Sequence, residues 1–260
     1  MQSVSQLYKD IIDGNHWFEV SLAICESGRL IEEHGDVLLF GSTAILVDSG
    51  GADGGFRESL LISLSTNHSV FNGSLPTVGG AIAGEIDVQM INPISEIPRA
   101  ARLVPFVRAT NGTQTSEWIQ KGVYYVDTRQ VTNNSNNLDV LTIHGYDAML
   151  KFDVNYPNDP NHTYPLLDKT IVQFLADSIK IHVDARTLTR MNKGYTFPYP
   201  VGYSSREMLG IIAASYGGNF IISDEGQLLL ILLGDLPKET NYLITQAGDI
   251  LVFGSDKILV

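Results

Sequence analysis

The side chains that do chemistry are sparse in this chain and badly spaced for it. Six histidines, His16, His34, His68, His144, His162 and His182, never fall at i,i+2 or i,i+4, the spacings that set two imidazoles side by side for a metal ion. The one cysteine, Cys25, has no local sign of thiolate activation and reads as a strand residue. Carboxylate pairs such as Glu32 with Glu33 and Asp224 with Glu225 lie in polar, turn-like stretches, a setting that does not create a general acid. Asp153, Asn155 and Asp159 begin like a calcium loop, yet the sixth position is Asn158 where glycine is needed, and the twelfth is Tyr164 where a glutamate closes the site. The glycine-rich run from Gly50 to Gly55 lacks a following Lys-Ser or Lys-Thr and leads into a strand, so no helix N-terminus is offered to a phosphate. The patterns G-x-S-x-G, H-E-x-x-H and G-x-x-x-x-G-K-[ST] are missing. Catalytic, metal and cofactor residues are therefore left unassigned, and the chain is expected not to be an enzyme.

Aromatic residues offer another route to function. Trp17 with Phe18 opens the first strand, and Trp118 precedes Tyr124 and Tyr125. On an exposed rim Trp17 and Trp118 would stack sugars or anchor a partner; buried, they would be ordinary core. Both readings stand at this point.

The elements that carry these residues are mostly strands. A short helix is expected first, with Val4, Leu7, Tyr8 and Ile11 on one face and Gly14 as the stop. Strict alternation then marks Val20–Leu22–Ile24, Leu60–Ile62–Leu64 and Ile86–Val88–Met90 as half-buried strands. Further strands are expected from Arg102 to Arg108, Gly122 to Gln130 and Leu138 to His144, between turn-rich stretches such as SGGADGG, TNGTQ and TNNSNN. Strands at such short intervals favour a barrel or sandwich over residues 16–145, after a leading segment 1–15. From 146 to 235 the pattern is that of a small α/β unit. Asp168 is placed to cap a helix bearing Ile171, Val172, Leu175 and Ile179. Ser204 and Glu207 form an S-x-x-E capping box ahead of Met208, Leu209 and Ile212, with Gly217 and Gly218 as the stop, and a hairpin follows. One internal similarity stands out: GDVLLFGSTAILV at 35–47 and GDILVFGSDKILV at 248–260. Two hairpins converging on one F-G-S turn would explain it, but so close a match favours a duplicated barrel whose second copy starts within 236–260.

Composition narrows the partners. With 17 basic and 29 acidic residues the formal net charge is −12, the wrong sign for wrapping nucleic acid or anionic lipid. The longest apolar run, Leu228 to Leu233, falls far short of the ~18 residues of a membrane span. The opening MQSVSQLYKDIIDG has no basic and apolar leader, and with a single cysteine this suggests synthesis in a reducing cytosol.

Two stretches carry a resemblance. TIHGYDAMLKFDVNY, followed by a polar connector and a helix, and YSSREMLGIIAASYGGNFIISDEGQLLLI are similar to the N-terminal structural module of prophage tail proteins of Gram-positive hosts, the baseplate hub or tail-associated lysin N-terminal modules. STNHSVFNGSLPTVGGAIAGEIDVQMI and RLVPFVRATNGTQTSEWIQKGVYYVDTR extend it over nearly the whole chain. The resemblance implies a hub-like α+β fold: a β-barrel, a small α/β domain, and a second related barrel. It also implies a homotrimer that joins the tail tube to the distal tip, with distal-tail and tube proteins as partners and the virion tail as its location. Members often carry a C-terminal peptidoglycan hydrolase, which does not fit in the residues after Gly248. Two other classes remain as alternatives: a cell-wall hydrolase with a dispersed acid/base site, and a host-surface carbohydrate-binding module using Trp17 or Trp118.

Overall fold

The computed structural model describes residues 4–26, 29–31, 37–38, 56–57, 60–71, 73, 75–92, 97, 99–133, 139–160, 162–235, 252–253 and 256–257. Helix α1 (Gln6–Ile12) is capped by the Ser5 hydroxyl, which accepts from the Tyr8 amide, and it buries Ile11. The strands β1 (Trp17–Glu26), β2 (Arg29–Ile31), β3 (Val37–Leu38), β4 (Phe56–Arg57), β5 (Leu61–Asn67), β6 (Glu85–Ile91), β7 (Arg102–Thr110), β8 (Ile119–Gln120), β9 (Tyr124–Asn133) and β10 (Asp139–Asp147) follow. They form one antiparallel ten-stranded sheet ordered β3-β2-β1-β7-β9-β10-β6-β5, with β4 beside β1 and β8 beside β7. Alternation sends Leu22 and Ile24 of β1, Leu103 of β7, Tyr124 and Val126 of β9, Leu141 and Ile143 of β10, and Ile86, Val88 and Met90 of β6 into one core. Strands near opposite ends of the path thus share a core, so the sheet curls around it. No pairing among the described residues joins β5 to β3, so the closed barrel expected for 16–145 is seen only as this curled, open path.

In β5 the expected alternation fails. Ile62 is 53% exposed, because the β5–β6 register slips between Leu61 and Ser63 and hands the inward position to Leu64.

The α/β unit begins with a 3-10 turn, Ala148–Phe152, capped by Asp147. It continues through β11 (Leu166–Leu167), α2 (Asp168–Ser178), α3 (Ala185–Arg190), β12 (Thr196–Phe197), α4 (Ser205–Tyr216), β13 (Gly218–Ile222) and β14 (Leu228–Leu232). The capping box at Ser204 and Glu207 forms in full, and Gly217 stops α4 at φ 69°. Asp168, expected as a cap, is instead the first residue of α2. Its carboxylate accepts from the Lys169 amide at 2.7 Å and the Tyr195 amide at 3.2 Å, and also from the Tyr216 hydroxyl, which ties α2 to α4. A second core gathers Met149, Phe152, Ile171, Val172, Leu175, Met208, Leu209, Ile212, Phe220, Leu228 and Leu230.

The β13–β14 hairpin is extended on both sides. On one side Leu228 pairs in parallel with Val183. On the other, residues 79–82 run beside β13: the Gly79 amide donates to Gly218 O at 2.9 Å, the Phe220 amide to Gly80 O at 2.8 Å, and the Ile82 amide to Phe220 O at 2.8 Å. This strap belongs by sequence to the link between β5 and β6. The two cores are therefore stitched together by chain passing from one to the other and back.

Of the sequence repeat, only Val37–Leu38 in the first copy and 252–253 and 256–257 in the second lie among the described residues; in the second copy β15 (Val252–Phe253) pairs antiparallel with β16 (Asp256–Lys257). No helix among the described residues is long and apolar enough to cross a membrane.

Candidate functional site

Residues directly opposite each other in an antiparallel pair share a face of the sheet. At one end of β1 the register sets Trp17 opposite Thr110 and Glu19 opposite Arg108. Arg108 reaches Glu19 Oε2 with Nε at 2.7 Å and a terminal nitrogen at 2.6 Å. The other side of the Arg108 guanidinium lies 4.3 Å from the ring centre of Trp118. Glu19, Arg108 and Trp118 thus make a row across β1, β7 and the entry to β8, and Trp17 lies two residues along β1 on the same face, opposite Thr110. Trp17 is 52% exposed. Trp118 is half-buried against Ala23, Cys25, Val104 and Phe106, and its indole N–H is buried without a partner among the described residues.

The indole of Trp17 is braced from below. A Cβ on Gly112, whose φ is +86°, would sit 3.0 Å from its Cη2, so only glycine lets the loop pass this close. That loop is held by Asn111 Oδ1, which accepts from the amides of Thr113 and Gln114 and from the Thr113 hydroxyl. Glu117 fixes the nearby start of α1, accepting from the Ser5 amide at 2.7 Å and the Ser5 hydroxyl at 2.6 Å.

A second group of polar residues lies at the joint between the two cores. Asp147 is buried, and its oxygens accept from the amides of Gly84 and Met149 at 2.7 and 2.8 Å. Burial pushes its carboxyl up to about 7, while those two N–H groups and the charge of Arg206 pull the other way. His68 Nε2 bonds the Tyr124 hydroxyl. Burial lowers the His68 imidazole from its ordinary value, with Asp224 opposing, and burial raises the Tyr124 phenol. A perturbed carboxylate beside a perturbed histidine is what a dispersed hydrolase site requires. Here, however, both oxygens of Asp147 serve backbone donors, and it caps the 3-10 turn. A groove of about 670 Å³ between α4 and the strap is lined by Val78, Tyr203, Arg206, Glu207 and Ile211, and touches neither Asp147 nor His68. Among the described residues no group of three or more His, Cys, Asp or Glu is placed to hold a metal ion. The residues that resembled a calcium loop have other partners: Asp153 pairs with Arg206 at 2.8 Å, the Asn155 backbone bridges to Ser204, and Asp159 lies 3.4 Å from His162 Nδ1.

No protein-family model and no curated protein matches the sequence. Among solved structures the chain is similar to a prophage tail protein. This is the 43 kDa tail protein of prophage MuSo2 from Shewanella oneidensis, with 13% sequence identity and a TM-score of 0.49 over 89% of this chain. The chain spans 64% of that protein's length.

Of the two tryptophans singled out by type, the structure leaves Trp17 open and half-covers Trp118, and it places both on one face. Glu19 and Arg108 carried no signal in the sequence. Their partnership depends on the β1–β7 register, which spans 89 residues of chain. His144, expected at the end of a strand, bonds Asp87 Oδ1 at 2.8 Å beside the bulge at Gly145.

Proposed function

We propose that the chain is a non-enzymatic structural component of a phage tail, a baseplate hub or tail-tip part. In this reading it assembles as a homotrimeric ring and contacts distal-tail and tail-tube proteins. The observation that supports it is the use made of the segments bearing the resemblance. GYDAML forms the corner where the sheet hands over to the α/β unit: a Cβ on Gly145 would stand 2.6 Å from Tyr125 O, and Asp147 caps the turn that follows. REMLGIIAASYGGNFI forms α4 and β13, where Gly210 passes the strap at backbone contact and Asn219 pins it. The distinctive residues are thus spent on joining parts, as a scaffold component requires, and both carboxylate oxygens of Asp147 between them are committed to backbone N–H groups.

The net charge of −12 suits a wall along which DNA passes without sticking. Light scattering coupled to size exclusion tests the assembly. A mass three times the 28.5 kDa of the chain is expected at micromolar concentration and above. A monomer at every concentration overturns the ring.

A further inference from the structure

We infer that Trp17, with the adjacent row Glu19–Arg108–Trp118 on the same face, is a binding site for a neutral saccharide, a pyranose stacked on the exposed indole. This stands apart from the tail reading and does not depend on it. The chain has two tryptophans, and the register brings both to one face of one end of the sheet. A strand tryptophan with no recognition task is normally covered, yet Trp17 is 52% exposed.

The exposed ring is also pre-positioned. Its six-membered portion rests on Gly112, in a loop locked by Asn111 and by the Thr110 hydroxyl donating to Gln114 O at 3.0 Å. Binding on it therefore orders little that is not already ordered. A pyranose offers a patch of C–H bonds to a ring face and a rim of hydroxyls to polar neighbours. Those neighbours are present one row along. Both Arg108 contacts go to Glu19 Oε2, and Oε1 has no partner among the described residues, so it is available to accept from a hydroxyl.

Charge selects the class of sugar. Glu19 and Arg108 neutralise each other at the site, and the surrounding chain carries a large negative excess. A saccharide bearing carboxylate or phosphate finds no net positive charge in that pair and is disfavoured by the chain's overall −12, whereas a neutral one is not. The face is open, so affinity for one short oligosaccharide is expected on the order of millimolar.

Amide NMR titration of the full chain with chitotetraose and maltotetraose tests this, with an oligogalacturonate as the anionic comparison. Saturable shifts at residues of β1, β7 and the 111–115 loop are expected with at least one neutral sugar. Trp17→Ala is expected to weaken binding at least about tenfold and Glu19→Gln severalfold, with the rest of the amide spectrum unchanged. A Val201→Ala control, at an exposed position in the α/β unit, is expected to bind as the parent does. The site is overturned if neither neutral sugar gives saturable shifts, if Trp17→Ala binds unchanged, or if only the anionic sugar binds. It is equally overturned if Trp17 becomes covered on self-association, which a mass increase abolished by Trp17→Ala would reveal.

Discussion

Folding moves the Asp147 carboxyl from an ordinary 3.8 to about 7. The native state therefore holds this proton more tightly than the unfolded chain does. Its stabilising effect is fully present below 3.8 and is lost as pH rises through about 7, a swing on the order of 4 kcal/mol. His68 runs the opposite way: its folded value lies below 6.5, so its contribution is present above 6.5 and is lost as pH falls through the folded value. Asp147→Asn isolates the first effect. The amide is neutral at every pH, so the parent's urea midpoint is expected to decline between pH 5 and pH 8 relative to the variant's. A constant gap between the two midpoints across that range would show that the carboxyl is ionised throughout. Nothing in the sequence marked Asp147 or His68, because what perturbs them is contact, made only in the fold, between residues far apart in the chain.

At the scale of elements, the contact between α4 and the 79–82 strap turns on Gly210. A Cβ there would stand 2.6 Å from Gly79 O, closer than packing permits. Alanine in a helix interior normally gains about 1 kcal/mol over glycine, while overpacking a backbone contact costs about 1–3 kcal/mol. Gly210→Ala is thus expected to be net destabilising in chemical denaturation; a stabilised variant would mean the strap does not ride on the helix. This pairing also explains which elements were legible. The box at Ser204 and Glu207 and the stop at Gly217 are local, each decided within about one helical turn, and they were read correctly from their residues alone. The strap was not, because TVGGAIAG lacks the alternation of a strand and is interrupted by Gly79, Gly80 and Gly84. It becomes one only by pairing with β13, some 140 residues later. The exposed Ile62 has a similar cause: a bulge shifts the phase that alternation implies.

At the scale of the molecule, two cores share one length of chain, and Asn219 decides how tightly. Its buried amide accepts from the Gly80 N–H at 2.7 Å and donates to Val70 O and Thr77 O at 2.8 and 2.6 Å, gripping the strap and the chain leading into it at three points. While that grip holds, opening the α/β unit must strip a strand from chain anchored in the sheet, so the parent is expected to unfold in a single transition. Asn219→Ala takes their partner from the part-buried Gly80 N–H and Val70 carbonyl and from the exposed Thr77 carbonyl. Water replaces some of what is lost, so the expected cost is about 1–3 kcal/mol in total. That cost falls on the joint, not on either core, and it should uncouple the two. Calorimetry of the variant is then expected to resolve two transitions. Native-state hydrogen exchange should show β13 and β14 opening at lower free energy than β1, β7 and β10. If the variant instead melts once, merely at a lower temperature, the cores are coupled through the sheet corner at Gly145 and Asp147, and the strap is a passenger on a joint made elsewhere.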